Sequence, residues 1–358
     1  MSIKLSHICK FQSGGTPAKG NAEYFNGNIP WITTTALTGG QIDANDAVEW
    51  ITEKAIEESA AKIVPANSIM VGTRVGVGKV AVNTVAMSTS QDIISLLEID
   101  ESKWSKDYLC KYLQGKKGYL NSQARGATIK GIKIDVLSKL EVPEISLEDQ
   151  IYISKIIDVV KRIIVSRKQE LQKLDKLIKA RFVEMFYDKG YPVLKWNDVF
   201  NTTTGKLDSN AAVDGGAYPF FTCSKEVLRI DDYAFEEEAL LLAGNNAAGK
   251  YDVKYYSGKF NAYQRTYVLT LKENWSYRLF QYQLEDKLAY LQQQSLGGLT
   301  KYLTLKILGE LEFIIPPKKQ QDKFDLFIKQ VDKSKVTIQK ALDETKLLFD
   351  SLMQKYFG

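Results

Sequence analysis

The stretch SLEDQIYISKIIDVVKRIIVSRKQELQKLDKLIKARFVEMFYD, residues 146–188, contains neither proline nor glycine. Its apolar positions step by four and three through Ile153, Ile157, Val160, Ile164, Leu171, Leu174, Ile178 and Met185, interrupted only by Arg167 and Arg181. Such steps draw one apolar seam along a helix, and a seam sustained over several heptads signals a coiled coil. A helix of about 40 residues rises about 60 Å. The same steps shifted by 171 residues give Phe324, Ile328, Val331, Lys335, Ile338, Leu342, Thr345, Phe349, Leu352 and Tyr356. The C-terminal stretch therefore reads as a second helix of the same kind, with polar interruptions that set register at a cost in stability.

The repeat extends outward from the helices. Leu140-Glu141 returns as Leu311-Glu312, Gln150 as Gln321, and Gly126 as Gly297. Gly72 and Lys79 have counterparts in Gly244 and Lys250, and Gln91 in Gln264, so the offset drifts by a residue or two. Ahead of each helix lies a region rich in β-branched and aromatic residues, as in Ile29-Pro30-Trp31-Ile32-Thr33-Thr34-Thr35 and Tyr218-Pro219-Phe220-Phe221-Thr222. These read as short strands. Ser68-Ile69-Met70-Val71 and Ala239-Leu240-Leu241-Leu242 read as buried strands running into glycine turns, with helical stretches following near 108–121 and 275–294. The fold class is α+β: two α/β domains in tandem pseudo-repeat, at 1–145 and 189–317, and two long helices, at 146–188 and 318–358. Matching seams predict that the helices pair antiparallel with pseudo-two-fold symmetry. Two other arrangements fit the seams: each helix packing separately on its own domain, and pairing between two chains.

Composition narrows the function. The chain has 358 residues, 44% apolar and 25% charged, as in globular proteins of two or three domains. No apolar run reaches the roughly 18–20 residues of a membrane span. Met1-Ser2-Ile3-Lys4-Leu5-Ser6 lacks a signal-peptide core, so a cytoplasmic location without membrane attachment is expected. Cys9, Cys110 and Cys223 are distant and odd in number, which argues against a disulfide framework and a zinc site. His7 is the sole histidine and reads as a loop or helix residue near a terminus. A net charge of +5 from 48 Lys+Arg against 43 Asp+Glu means that any nucleic-acid surface rests on local clustering.

Several catalytic patterns fail. Gly72-Thr73-Arg74-Val75-Gly76-Val77-Gly78-Lys79-Val80 has threonine where a phosphate loop needs its first glycine and valine where it needs Ser or Thr. Ile315-Pro316-Pro317-Lys318 is not the Asn/Asp-Pro-Pro-aromatic motif of amino-methylating enzymes, and there is no Gly-x-Ser-x-Gly elbow. No cofactor is expected. Scattered paired carboxylates are not tested by such a search.

The order of parts resembles the specificity subunits of Type I restriction–modification enzymes, over nearly the whole chain. Asn67-Ser68-Ile69-Met70-Val71-Gly72-Thr73-Arg74-Val75-Gly76 is similar to that family's buried strand and following turn. Gln123-Ala124-Arg125-Gly126-Ala127-Thr128-Ile129-Lys130-Gly131-Ile132 resembles its Gly-x-Thr segment. Leu140-Glu141-Val142-Pro143-Glu144-Ile145-Ser146-Leu147-Glu148-Asp149-Gln150 resembles the junction into its spacer helix, repeated over 311–321. The second half departs: Asn246 falls near the place of Arg74, and Leu299-Thr300-Lys301 replaces Ala127-Thr128-Ile129-Lys130. The resemblance implies two target recognition domains reading unlike half-sites of duplex DNA, with the helices setting an unread spacer. It also implies docking of two methyltransferase subunits, with restriction and translocase subunits joining through that complex. Methyl transfer, ATP use and cleavage would then belong to partners. The alternatives are a coiled-coil adaptor that binds only protein and a DNA-modifying enzyme fused to its recognition domains.

Base reading needs side chains that offer donors and acceptors to base edges, supported by phosphate contacts. In the first half the candidates are Thr33, Thr34, Arg74, Lys79, Gln91, Arg125, Thr128 and Lys130. In the second they are Thr222, Lys225, Asn245, Asn246, Lys250, Gln264, Arg265 and Lys301. Arg suits guanine and Gln adenine, while Lys79 and Lys130 suit phosphate. Plainer roles compete: Thr33 and Thr34 as strand continuation, Arg74 as a solvated charge, Asn245-Asn246 as turn residues, and Gln91 and Gln264 as buried structural hydrogen bonders. The modest net charge predicts weak, strongly salt-dependent duplex binding by the isolated chain. Fluorescence anisotropy across a salt series checks this, and tight site-selective binding at moderate salt would contradict it.

Overall fold

The computed structural model describes residues 1–126, 130–247 and 249–358. The two long helices are Leu147–Phe186 and Lys318–Phe357, 40 residues each. Ser146 starts the first: its Oγ accepts from the Asp149 amide at 3.0 Å and donates to the Asp149 carboxylate at 2.6 Å. Glu148 and Asp149 in the first turn complement the helix dipole. Beyond Phe186 the chain leaves the helix through Asp188 and Gly190, both at positive φ. Pro316-Pro317 precedes the second helix, where the missing prolyl amides cost nothing. Among the described residues no helix is long and apolar enough to cross a membrane.

Contacts divide the chain into two units, 1–168 with 340–358, and 169–339. In the first, a five-stranded sheet has the order Lys10–Ser13, Ile93–Leu97, Ile69–Gly72, Val80–Asn83, Gln41–Ile42. Its neighbours are antiparallel except for the last pair. Ile69–Gly72 is buried along its whole length, which is why an unbroken apolar run suits it. A four-stranded sheet orders Glu49–Ile51, Phe25–Ile32, Met87–Thr89 and Ile63–Val64. Helix Lys106–Gly115 contributes Tyr108, Leu109, Tyr112 and Leu113 to the core beside Ile69, Val71 and Leu96.

The second unit replaces these two sheets by one of six strands. Its order is Phe200–Thr204, Thr266–Leu271, Phe235–Ala243, Val253–Ala262, Tyr218–Phe221, Leu228–Ile230. Helix Tyr277–Asp286 packs Phe280 and Leu284 against Leu240, Leu242 and Leu269. The expected repeat is visible in hydrogen bonds. The Leu5 amide donates to the Leu140 carbonyl at 2.8 Å, as Trp196 does to Leu311 at 3.0 Å. The first residues of these pairs lie 191 apart and the second 171, so the drift exceeds a residue or two toward each half's start. The first half therefore carries about 20 more residues ahead of strand Ile69–Gly72, where three of the four strands of the separate sheet lie.

Each long helix is fastened to its domain by a buried glutamine. Gln150 accepts from the Ser105 amide at 2.8 Å and donates to the carbonyls of Lys103 and Ile145 at 3.0 and 3.1 Å. Gln321 accepts from the Ser276 amide at 2.8 Å and donates to the Pro316 carbonyl at 2.8 Å. The seams mix both helices within each unit. Ile153 and Ile157 share a core with Phe349, Leu352, Tyr356 and Phe357. Ile178 and Phe186 share one with Phe324, Ile328 and Val331. In both units the start of one helix meets the end of the other, the antiparallel order expected from the seam. Packing of each helix on its own domain alone does not account for these contacts. The interruption at Lys335 is answered by Asp175 at 2.5 Å, and Thr345 Oγ1 donates to the Ala341 carbonyl at 2.6 Å.

Phe357 lies among Tyr108, Tyr112, Ile153 and Ile157 and is 1% exposed, whereas Leu347 is 70% exposed. Truncating a buried phenylalanine removes both its transfer energy and its packing. We expect Phe357→Ala to lower stability by about 3–5 kcal/mol and Leu347→Ala to shift it by less than about 0.5 kcal/mol. Urea unfolding of the full chain checks both.

Candidate nucleic-acid interface

In the first unit, strand Ile69–Gly72 runs into a tight turn. The Gly72 amide donates to the Lys79 carbonyl at 2.8 Å, Gly78 to Gly72 at 2.9 Å, and Lys79 to Gly76 at 3.0 Å. Gly76 and Gly78 sit at φ +79° and +75°, where a side chain would strain the backbone. The glycines that suggested a phosphate loop thus serve turn geometry. Thr73 is tied to the Asp92 carbonyl through its amide at 2.8 Å and its hydroxyl at 3.0 Å. Its own carbonyl accepts the Ile132 amide at 2.8 Å. Arg125 and Gly131 exchange backbone hydrogen bonds of 2.9 and 3.0 Å, closing the segment between them.

These bonds gather several candidates. Arg74 and Gln91 line one recess with Thr73, Ile132 and Lys133. Arg125 lines the next, with Gln123, Gly131, Ile132 and Lys133. Lys130 is exposed beside Gly131. Arg74 lies 3.6 Å from Asp92, with half its side chain exposed, so it can exchange that weak surface pair for a ligand. The remaining candidates are less central. Strand Phe25–Ile32 ends before Thr33, so Thr33 and Thr34 do not continue it. Thr33 pairs with Thr35 at 2.8 Å and Thr34 is buried. The stem of Lys79 covers Gly76. Thr128 lies outside the described residues.

The second unit repeats the scaffold with other side chains. The Gly244 amide donates to the Arg265 carbonyl at 2.8 Å, and the Gly244 carbonyl accepts the Leu303 amide at 2.8 Å. These match the bonds of Thr73, so Gly244 stands for Thr73 rather than Gly72, and Asn245 rather than Asn246 takes the place of Arg74. Leu296 and Tyr302 close their segment with bonds of 3.0 and 2.9 Å, as Arg125 and Gly131 do. Asn245–Asn246 pairs antiparallel with Lys301–Tyr302, and the Asn246 carboxamide accepts the Lys250 amide at 3.3 Å. The side chain of Lys301 lies against Gly249, and Arg265 is exposed. Thr222 is buried and caps the Ser224 amide at 3.2 Å, and Lys225 follows it on an exposed loop. Gln264 bonds Asp208 at 2.6 Å. Gln91 and Gln264 are both exposed, so neither is a buried structural hydrogen bonder.

Sequence reasoning passed over Lys133, which lines both recesses of the first unit. It is separated from Arg74 by 59 positions, and the Ile132–Thr73 bond helps to bring it near. Elsewhere the chemistry is quiet. Burial pushes the Cys9 thiol up to about 12 and, as the first cause, the Cys110 thiol up to about 11, so neither is a ready nucleophile. The described residues hold no cluster of His, Cys, Asp and Glu able to bind a metal ion.

Comparison with known proteins bears on this doubled architecture. The Type I restriction modification DNA specificity domain matches residues 1–176 and again 188–345. The specificity subunit of the Type I restriction enzyme MjaIX from Methanocaldococcus jannaschii is 23% identical, covering 98% of this chain and 91% of that protein. That of EcoDI from Escherichia coli is 33% identical over 156 residues, 42% of this chain and 34% of that protein, so that match spans about a third of the relative's length. The crystal structure of a Type I restriction-modification S subunit from M. genitalium covers 100% of this chain and 96% of its own, with a TM-score of 0.61 at 16% identity. A chain from a structural study of type I R-M assembly reaches 0.65 at 14% identity, covering 100% of this chain and 97% of its own. At such identities these structures show the fold. Two matches to one domain, covering most of the sequence, place this protein in the Type I restriction modification DNA specificity family.

Proposed function

We propose that the chain is the DNA-reading subunit of a Type I restriction–modification complex and performs no chemistry itself. The observation that carries this reading is the duplicated scaffold with unlike faces. One hydrogen-bonded frame, built twice, displays Arg74, Gln91, Arg125 and Lys130 in the first half. In the second it displays Asn245, Asn246, Arg265 and Lys301. An arginine forks onto guanine O6 and N7, whereas asparagine matches adenine N6 and N7. Equal frames with unequal donors suit two unlike half-sites of one duplex. Lysines such as Lys130, Lys133 and Lys301 contribute phosphate contacts that hold register without reading sequence.

On this reading, residues 1–145 and 189–317 are the target recognition domains and the long helices fix an unread gap between half-sites. Two methyltransferase subunits dock on the chain and modify adenine, and restriction subunits join through them. The working complex is cytoplasmic. Each bidentate base contact contributes about 1–3 kcal/mol of discrimination, roughly a factor of five to more than a hundred.

The deciding experiment is co-expression with methyltransferase subunits of the same system, followed by mapping of methylated adenines. A single split motif with a constant gap is the expected result. Arg74→Ala with Arg125→Ala should relax the half-site read by the first domain and leave the other intact, and Asn245→Ala should do the converse. Methylation that is indifferent to this chain, or unmoved by all three substitutions, would leave only a protein-binding adaptor.

A further inference from the structure

Thr73 and Gly244 hold the same place in the two frames, so the groups that accept their amides correspond as well. The Thr73 amide donates to the Asp92 carbonyl and the Gly244 amide to the Arg265 carbonyl, each at 2.8 Å. Asp92 therefore stands where the second half carries Arg265, as Arg74 stands where it carries Asn245. An acid on a surface that meets a polyanion calls for an explanation. Stability supplies little of one, because a pair at 3.6 Å with half of Arg74 exposed is a weak surface contact. The frame nevertheless holds the two side chains together. The Thr73 hydroxyl also donates to the Asp92 carbonyl, at 3.0 Å, which sets Asp92 beside the residue that follows Thr73. The stem of Arg74 lies on Gly131, where an added Cβ would come within 2.8 Å of its Cγ. The result is a donor and an acceptor side by side, Arg74 Nη1 and Asp92 Oδ1, with the aspartate side chain 27% exposed.

We propose that Arg74 and Asp92 together read one G·C pair in the half-site of the first domain, an inference that rests on the DNA reading proposed above. In the major groove such a pair shows two acceptors on guanine, N7 and O6, and then the N4 amino donor of cytosine. O6 and N4 are joined by the pair's own hydrogen bond and so lie about 3 Å apart. A donor and an acceptor 3.6 Å apart suit that spacing. Arg74 bonds guanine, and Asp92, released from Arg74, accepts from cytosine N4. The carboxylate also rejects other pairs, and such repulsion is a source of specificity. An A·T or C·G pair in that place sets an oxygen, thymine O4 or guanine O6, against the carboxylate. A T·A pair keeps an acceptor and a donor there, but sets a methyl group where the guanidinium needs N7. Arginine thus rejects T·A, and aspartate adds to the rejection of A·T and C·G. In the second half Asn245 and Arg265 fill these two places, so the other half-site is read by different groups.

The test uses the chain assembled with methyltransferase subunits of the same system, and duplexes carrying the mapped motif. Each base pair of the motif is replaced in turn, and binding is followed by fluorescence anisotropy. Asp92 meets the frame through its carbonyl, so Asp92→Ala leaves those bonds in place. One G·C pair should emerge at which Arg74→Ala and Asp92→Ala both act. There Asp92→Ala should weaken the rejection of A·T and C·G about fivefold or more and leave that of T·A nearly unchanged. Arg74→Ala should remove the rejection of T·A. On duplex without the motif the two should diverge. Asp92→Ala should bind it more tightly, since an acid near the phosphates is gone, and Arg74→Ala less tightly. Should the alanine variant not fold, Asp92→Asn keeps the shape without the charge and is expected to relax the same rejections. An Asp92 variant that keeps wild-type discrimination at every position overturns the proposal, and so does one that acts at a different pair from Arg74→Ala. A wild-type complex indifferent to every replacement would instead overturn the DNA reading itself.

Discussion

A carboxamide buried at the start of each long helix governs how the rest is assembled. Gln150 and Gln321 are almost wholly inaccessible, and each bonds one backbone amide of its domain and a carbonyl just ahead of its helix, Ile145 or Pro316. A buried carboxamide left without partners is costly, so the domain, the junction strand and the helix must meet in one arrangement to satisfy it. Once the helix start is fixed, the seam from Ile153 and Ile157, or from Phe324 and Ile328, faces the final turns of the other helix. The aromatic end of that helix then closes the core, through Phe357 in one unit and Phe186 in the other.

The same economy appears at the surface proposed to read DNA. Backbone hydrogen bonds from Thr73 and Gly244, each engaging a segment on either side, hold the same frame in both halves. Those side chains can therefore vary while the frame stays constant. Arg74 and Asn245 occupy one place in the two frames, as do Arg125 and Leu296. A scaffold of this sort goes some way to separating folding from reading: the bonds that tie these segments together are largely main-chain.

Much of the architecture was legible in the residues themselves. The four-and-three steps from Ile153 to Met185 and from Phe324 to Tyr356 give both long helices, because helical periodicity is a local property. The run Ser68-Ile69-Met70-Val71 gives a central strand for the same kind of reason. Strand ends were less legible. Thr33 and Thr34 look like continuing strand, yet the chain turns at Thr33, because β-propensity is outweighed by where neighbouring strands stop offering partners. The register of the two halves was also misjudged by one residue at Gly72, since a matching glycine is a weaker guide than the hydrogen bonds that place Gly244 opposite Thr73.

By itself the sequence determined the repeat, the helix pair, the α+β character and the family resemblance, since these rest on periodicity and order along the chain. Only the tertiary structure decided which residues share a site. Lys133 stands beside Arg74 through one backbone bond across a long separation, and Gln264 turns to Asp208 instead of a core. It alone decided which charges meet at the two seats, Lys111 with Asp158 in one and Arg278 with Asp332 in the other. Pattern along a chain reports what one element prefers, and a site is set by elements brought together through distant contacts that no local pattern encodes.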